Sequence, residues 1–160
     1  MTRFASPTLA VAAPPSPPRI KEFSFPKKVV AGETVPITCA LQSTMAAQTE
    51  FKWLKNGVDI SMIIQRDKRF EIVPAHGASV LVIKSVTLED FGNYTCVVNT
   101  PWGADKYTAS LTVYTQPKWI LELFDISMRK GDIRIADCMA SGNPPPTVSW
   151  MVSESAQGKG

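Results

Sequence analysis

Three cysteines, one histidine and one asparagine carry the only side-chain chemistry that their types and spacing point to: Cys39, Cys96, Cys138, His76 and Asn93. A zinc site would need short pairs such as C-x-x-C or H-x-x-x-H, and no two of the cysteines and His76 stand that close. A single histidine, no nucleophile motif and no Gly-rich phosphate loop leave nothing from which to assemble a catalytic centre, so neither an enzyme nor a cofactor is expected. Asn93-Tyr94-Thr95 is an N-glycosylation acceptor sequence; its alternative is an unmodified polar strand residue facing solvent. An odd cysteine count means a reactive thiol or a partner elsewhere, and Cys138, with no later cysteine, is the one left over.

The elements that must position these residues are strands. Short runs with period-two alternation recur between turn residues, the pattern of an all-β sandwich, and no stretch sustains a helical stripe. Val35, Ile37, Cys39 and Leu41 fall on one face of their run, and Phe51 shares a face with Trp53. Lys55-Asn56-Gly57 then makes a turn whose Asn-Gly suits positive φ. Phe70 and Ile72 alternate with Glu71 and Val73, and Ser79, Leu81 and Ile83 with Val80 and Val82. Tyr94, Cys96 and Val98 follow, then Ala109, Leu111 and Val113. His76 beside Gly77 reads as a loop before the Ser79 run. Arg66, Lys68 and Arg69, interrupted by Asp67, read as a solvated loop, with heparan sulfate or an acidic partner as the competing use.

Cys39, Cys96 and Trp53 share the inward phase, which makes them a physical unit. A bond between the cysteines pins two facing sheets about 10 Å apart, with the indole packed against the sulfurs. Closing that loop stabilises a fold by about 4 kcal/mol in the chain-entropy treatment, and a reducing compartment removes the gain. In Asp90-Phe91-Gly92-Asn93-Tyr94-Thr95-Cys96, Tyr94 stands two residues before the second cysteine, where a tyrosine corner bonds a phenol back to the backbone. Gly92 relieves crowding at the bend and Asp90 accepts hydrogen bonds in the turn. Trp53, Tyr94, Asp90 and Leu81 are therefore expected in the core of an immunoglobulin-like (I-set) β-sandwich. Pro36 breaks the pattern: inside a central strand it removes a ladder bond, so a bulge or water-filled gap is expected there.

The chain divides into a flexible Pro/Ala/Ser-rich lead-in over residues 1–17, the sandwich over 18–115 and the opening part of a second, truncated immunoglobulin domain over 117–160. The lead-in makes a poor signal peptide: Arg3 and Ala10-Val11-Ala12-Ala13 suit one, but Ser6, Pro7 and Thr8 break the apolar stretch. Tyr114-Thr115-Gln116-Pro117 reads as a short connection. Beyond it Trp119 and Leu121 suggest a first strand, and Cys138 precedes Trp150 across Gly142-Asn143-Pro144-Pro145-Pro146. The phase before Cys138 is reversed, with Ala136 and Arg134 where the first domain has Ile37 and Val35, and Ile133 and Ile135 on the other face. Missing its later strands, this segment is expected to fold poorly alone.

Several of these segments resemble arthropod Down syndrome cell adhesion molecules (Dscam). Pro18-Arg19-Ile20 with Phe23-Ser24-Phe25-Pro26 is similar to the opening strand of their domains. Phe51-Lys52-Trp53-Leu54-Lys55-Asn56-Gly57, Gly92-Asn93-Tyr94-Thr95-Cys96 and Pro117-Lys118-Trp119-Ile120-Leu121-Glu122 match the same pattern. The likeness extends from Pro17 to Trp150; its cysteine, tryptophan and tyrosine motifs are common to I-set domains, and the two domain-opening segments are more specific. The resemblance implies homophilic cell–cell adhesion in neurite recognition and axon guidance, with an identical chain on an opposing cell as the partner. It also implies a glycoprotein ectodomain at the cell surface, held to the membrane only through an anchor outside this chain, and hence a fragment of a longer protein.

The bulk numbers agree with a protein-binding role. A chain of 160 residues with 44% hydrophobic content holds one sandwich of about 100 residues plus part of another. A net charge of +3 with scattered Lys and Arg gives no footprint for nucleic acid, and no apolar run approaches the roughly 20 residues of a membrane span. The candidate homophilic face lies on the sheet holding the Thr34–Leu41 and Ser79–Ile83 runs, where alternation turns Pro36, Thr38, Val73, Val80 and Val82 outward. Outward valines make a contact patch, although β-branched residues also favour strands for their own sake. The alternatives to adhesion are a heterophilic receptor or immune-recognition module and a structural I-set spacer in a muscle or matrix protein, because fold does not dictate function.

Overall fold

The alternating runs become paired strands in a computed structural model, which describes residues 4–5, 16–42 and 48–153. In chain order the strands are β1 (Val29–Val30), β2 (Val35–Ala40), β3 (Glu50–Lys55), β4 (Val58–Asp59), β5 (Phe70–Ala75), β6 (Ala78–Ile83), β7 (Gly92–Thr100), β8 (Gly103–Leu111), β9 (Val113–Leu121) and β10 (Met139–Asn143). The two sheets of the sandwich have the orders β2-β6-β5 and β4-β3-β7-β8, and a third sheet has the order β1-β9-β10. The inner faces of the first two enclose a core that includes Val35, Ile37, Trp53, Leu81, Ile83, Tyr94, Val98 and Leu111. The period-two pattern of the sequence is what places these residues inside. Asn56 and Gly57 both have positive φ and close the two-residue β3–β4 hairpin, which is why Asn-Gly stands there. A single helical turn, α1 (Ile60–Ile64), follows; Asp59 Oδ1 caps it by accepting from the Ser61 N–H at 2.9 Å, and Ile60 is fully buried.

Cys39 and Cys96 are joined across the two sheets, with Cα atoms 6.3 Å apart. Register explains what surrounds the bridge. Trp53 pairs directly with Cys96 on one sheet, and Ser79 with Cys39 on the other. The indole Nε1–H of Trp53 therefore donates across the gap to Ser79 Oγ at 3.0 Å, a polar link beside the covalent one. Both residues are buried, so Ser79→Ala leaves the indole N–H without a partner. That change is expected to cost about 1–3 kcal/mol, read as a lower urea midpoint with an unchanged slope.

The region around Pro36 differs from expectation. β2 pairs with β6 in continuous register from Val35↔Ile83 to Ala40↔Ala78, with no bulge. The reason lies in the parity of the ladder. The Leu41 N–H donates to Gly77 O on the β6 side, while Ala40 O accepts from the Lys21 N–H on the other side. Even-numbered residues of β2 thus turn their backbone groups away from β6, and β2 is an edge of its sheet. The missing N–H of Pro36 falls where β6 requires no donor.

The junction also differs from a short connection. Tyr114-Thr115-Gln116-Pro117 lies within β9, which runs unbroken from Val113 to Leu121. Its first residues pair in parallel with β1, Val29↔Val113 and Val30↔Tyr114. The rest pairs with β10, from Asn143↔Thr115 to Met139↔Leu121. Asn143 fastens the two by donating its N–H to Thr115 Oγ1 at 2.7 Å and its Nδ2–H to Val113 O at 2.6 Å. Between residues 117 and 153 every described residue is exposed or half-buried, including Ile133 at 92% and Ile135 at 87%. Trp119, Leu123, Cys138 and Trp150 border an open cavity of about 270 Å³, and the Cys138 thiol is free and half-buried.

Candidate protein-interaction site

Beneath the candidate faces lies a charged anchor that holds the end of the sandwich. The 3-10 turn Leu88–Asp90 leads into Gly92, and the buried Tyr94 hydroxyl donates to Asp90 O at 2.7 Å. The Asp90 carboxylate, 1% exposed, accepts from Arg69 Nη1 at 2.7 Å and Nη2 at 3.2 Å, and from the Thr87 N–H at 2.8 Å. Lys55 Nζ stands 3.7 Å away. Arg69 also donates to Asp67, so one guanidinium holds two carboxylates. Burial pushes the Asp90 carboxyl up, but the Arg69 hydrogen bonds, the Thr87 amide and the nearby cations outweigh it and hold the group below its ordinary pKa. Burial, and then the Asp90 charge, push the Tyr94 phenol up. Reading Arg69 as part of a solvated basic loop is corrected here: its guanidinium stands over the Phe70 ring, 5.6 Å from the ring centre, and is held by Asp90 and Asp67. Of that trio Arg66 and Lys68 are exposed, and Arg69 is half-buried.

Gly92 serves the same corner. Its φ is +137°, and a Cβ there would stand 2.6 Å from Asn56 Oδ1. That oxygen accepts from the Asn93 N–H at 2.9 Å, so a side chain at position 92 would expel the group that ties the β3–β4 turn to β7.

The outer face of β2-β6-β5 is built in rows by the register. Pro36, Val82 and Glu71 form one row, and Thr38, Val80 and Val73 the next. Ala40, Ala78 and Ala75 form the third. Pro36, Thr38 and Val73 are exposed, while Val80 and Val82 are half-buried between their neighbours. Reasoning from alternation omitted the charged boundary of this patch, where Lys84 Nζ meets Glu71 Oε2 at 2.7 Å. Glu71 stands on the outward phase of β5, and Lys84, the residue after β6, continues the outward count of Val80 and Val82; that parity was the available signal. The outer face of the other sheet is more polar: Lys52, Thr95, Lys106 and Thr108 surround half-buried Leu54 and Val97. Asn93 and Ser110 pair at its end.

Among the described residues no helix is long and apolar enough to cross a membrane. The chain is similar to other proteins with immunoglobulin domains, adhesion molecules and a muscle protein among them. It is 30% identical over 125 residues to the mouse protein "Leucine-rich repeats and immunoglobulin-like domains protein 3", a match that covers 78% of this chain and 11% of the relative. It is 31% identical over 134 residues to the "Muscle M-line assembly protein unc-89" of Caenorhabditis elegans, covering 78% of the chain and 2% of the relative. The chain thus spans a small part of the length of these relatives. A solved structure of the N-terminal eight Ig domains of Down Syndrome Cell Adhesion Molecule superposes with a TM-score of 0.69 at 28% identity, covering 82% of this chain and 16% of that one. Residues 18–113, holding the disulfide, the tyrosine corner and both sheets, match the immunoglobulin I-set domain, a type that is typically non-catalytic, and the chain belongs to that family.

Proposed function

We propose that this chain is a cell-surface recognition module that binds a second copy of itself, on an opposing cell, through the outer face of β2-β6-β5. The observation that carries this reading is the difference between the two faces. One is a run of Pro, Thr, Val and Ala residues in register, and the other is studded with lysine, threonine and asparagine. Apolar area removed from water drives association, and a patch bounded by the opposite charges of Glu71 and Lys84 can meet its own copy with those charges crossed. The likeness to an adhesion-molecule structure supports the same class of role, and the sulfur bridge suits the outside of the cell. We read the segment after Pro117 as the opening of a second module of the same kind, on the strength of Cys138 and Trp150.

Val82→Glu places a carboxylate beside Glu71 on the outer face without entering the core. The variant is expected to stay folded, with a thermal midpoint only modestly lowered by the like charges set opposite each other, and to lose aggregation of coated beads and the self-dimer seen by sedimentation. Bead aggregation that survives Val82→Glu removes this face as the contact. A strict monomer in both assays turns the reading toward the spacer role suggested by the muscle relative.

A further inference from the structure

The polar face carries a feature that the recognition reading does not use. Asn93-Tyr94-Thr95 is the single N-x-S/T sequence in the chain. β7 turns Asn93 and Thr95 outward together while Tyr94 between them is fully buried. Ser110 Oγ, across the β7–β8 pair, donates to Asn93 Oδ1 at 2.6 Å. This fixes the amide plane, and among the described residues Asn93 Nδ2 has no hydrogen-bond partner. The side chain is exposed, and Thr95 Oγ1 lies 2.7 Å from Thr108 Oγ1 on the same surface.

We infer that Asn93 is an N-glycosylation site whose oligosaccharide covers the β3-β7-β8 face and leaves β2-β6-β5 as the side open to protein. The donor is a lipid-pyrophosphate-linked oligosaccharide. Asn93 Nδ2 forms a bond to the anomeric carbon, the carbon–oxygen bond to the pyrophosphate breaks, and the lipid pyrophosphate leaves with the electron pair. Nδ2 gives up one proton to the transferase's base. The product keeps Oδ1 as an acceptor, so the Ser110 bond survives and the folded strand tolerates the modification. A solvated glycan several residues wide resists burial against another protein, which makes its position a marker of the face not used for contact.

The face assignment rests on the recognition reading; the modification needs only passage through the secretory route. The full chain, expressed in insect cells behind a cleavable secretion leader, separates the two. Intact mass is expected to exceed the polypeptide by an oligosaccharide. Peptide N-glycosidase in heavy-oxygen water is expected to remove that excess and convert residue 93 to labelled aspartate. Asn93→Gln is expected to abolish the excess and leave bead aggregation within twofold of the parent. Val80→Asn with Val82→Thr installs a sequon on the opposite face and is expected to abolish aggregation when glycosylated and to restore it after enzymatic removal. An unmodified Asn93 in secreted, folded protein overturns the site. Aggregation lost in Asn93→Gln, with folding intact, overturns the face assignment. An occupied Asn93 with no self-association in any variant sinks the recognition reading and leaves the glycan standing.

Discussion

Arg69→Ala is expected to destabilise the domain by about 3 kcal/mol, at the lower end of the range for breaking a buried ion pair. The cost arises because Asp90, 1% exposed, keeps its charge and loses a two-pronged partner. The figure stays at the lower end for two reasons. The Arg69 side chain is 31% exposed, so solvent already screens part of the interaction, and Lys55 remains 3.7 Å from the carboxylate. Asp90→Asn tests the same contact from the other side. Asp90 titrates below its unfolded value, so its contribution is present in full above roughly pH 4 and is lost as the pH falls through the folded value. Asp67, held down by its Arg69 hydrogen bonds, adds loss in the same direction. Urea unfolding at neutral pH is expected to separate the parent from Asp90→Asn, and the gap is expected to close on acidification. A gap that stays constant down to pH 3 would falsify the assignment of the stabilisation to the ionised carboxylate.

Removing the bridge with Cys39→Ala and Cys96→Ala is expected to cost about 4 kcal/mol, from the loop-closure entropy of a 57-residue separation. That is a large share of a typical domain's stability. The loss acts mainly through the unfolded chain, so the urea midpoint is expected to fall much further than the Trp53–Ser79 contact alone accounts for. Thiol labelling of the folded, air-oxidised parent is expected to find Cys138 and neither of the bridging cysteines. Labelling at Cys39 and Cys96 in folded protein contradicts the bridge and the oxidising location inferred from it.

What the sequence made legible is what parity encodes. Once Cys39, Trp53 and Cys96 were set on one phase, the same counting turned Leu81, Ile83 and Leu111 inward, and all of them are buried. The same counting could not see partners far apart in the chain. Ser79 lay on the inward phase, yet only cross-strand register reveals that it stands beside Cys39 and opposite the Trp53 indole. Arg69 looked like one cation in a basic run, because the carboxylate it serves lies 21 residues later. Pro36 was misjudged for a related reason. A strand has two hydrogen-bonding edges, and sequence alone does not say which one lies open. The reversed phase before Cys138 goes with a stretch, residues 132–138, that takes no strand, so there is no ladder there for a phase to describe.

The passage of β9 from the sandwich into the C-terminal segment has a geometric consequence. A loop at that position would tolerate an extra residue by bulging outward. An extended ribbon instead carries its pleat forward, so inserting one residue between Thr115 and Pro117 would swing whatever lies beyond by about half a turn and swap its inner and outer sides. The junction thus behaves as a keyed shaft: its length in residues sets the azimuth of the downstream segment.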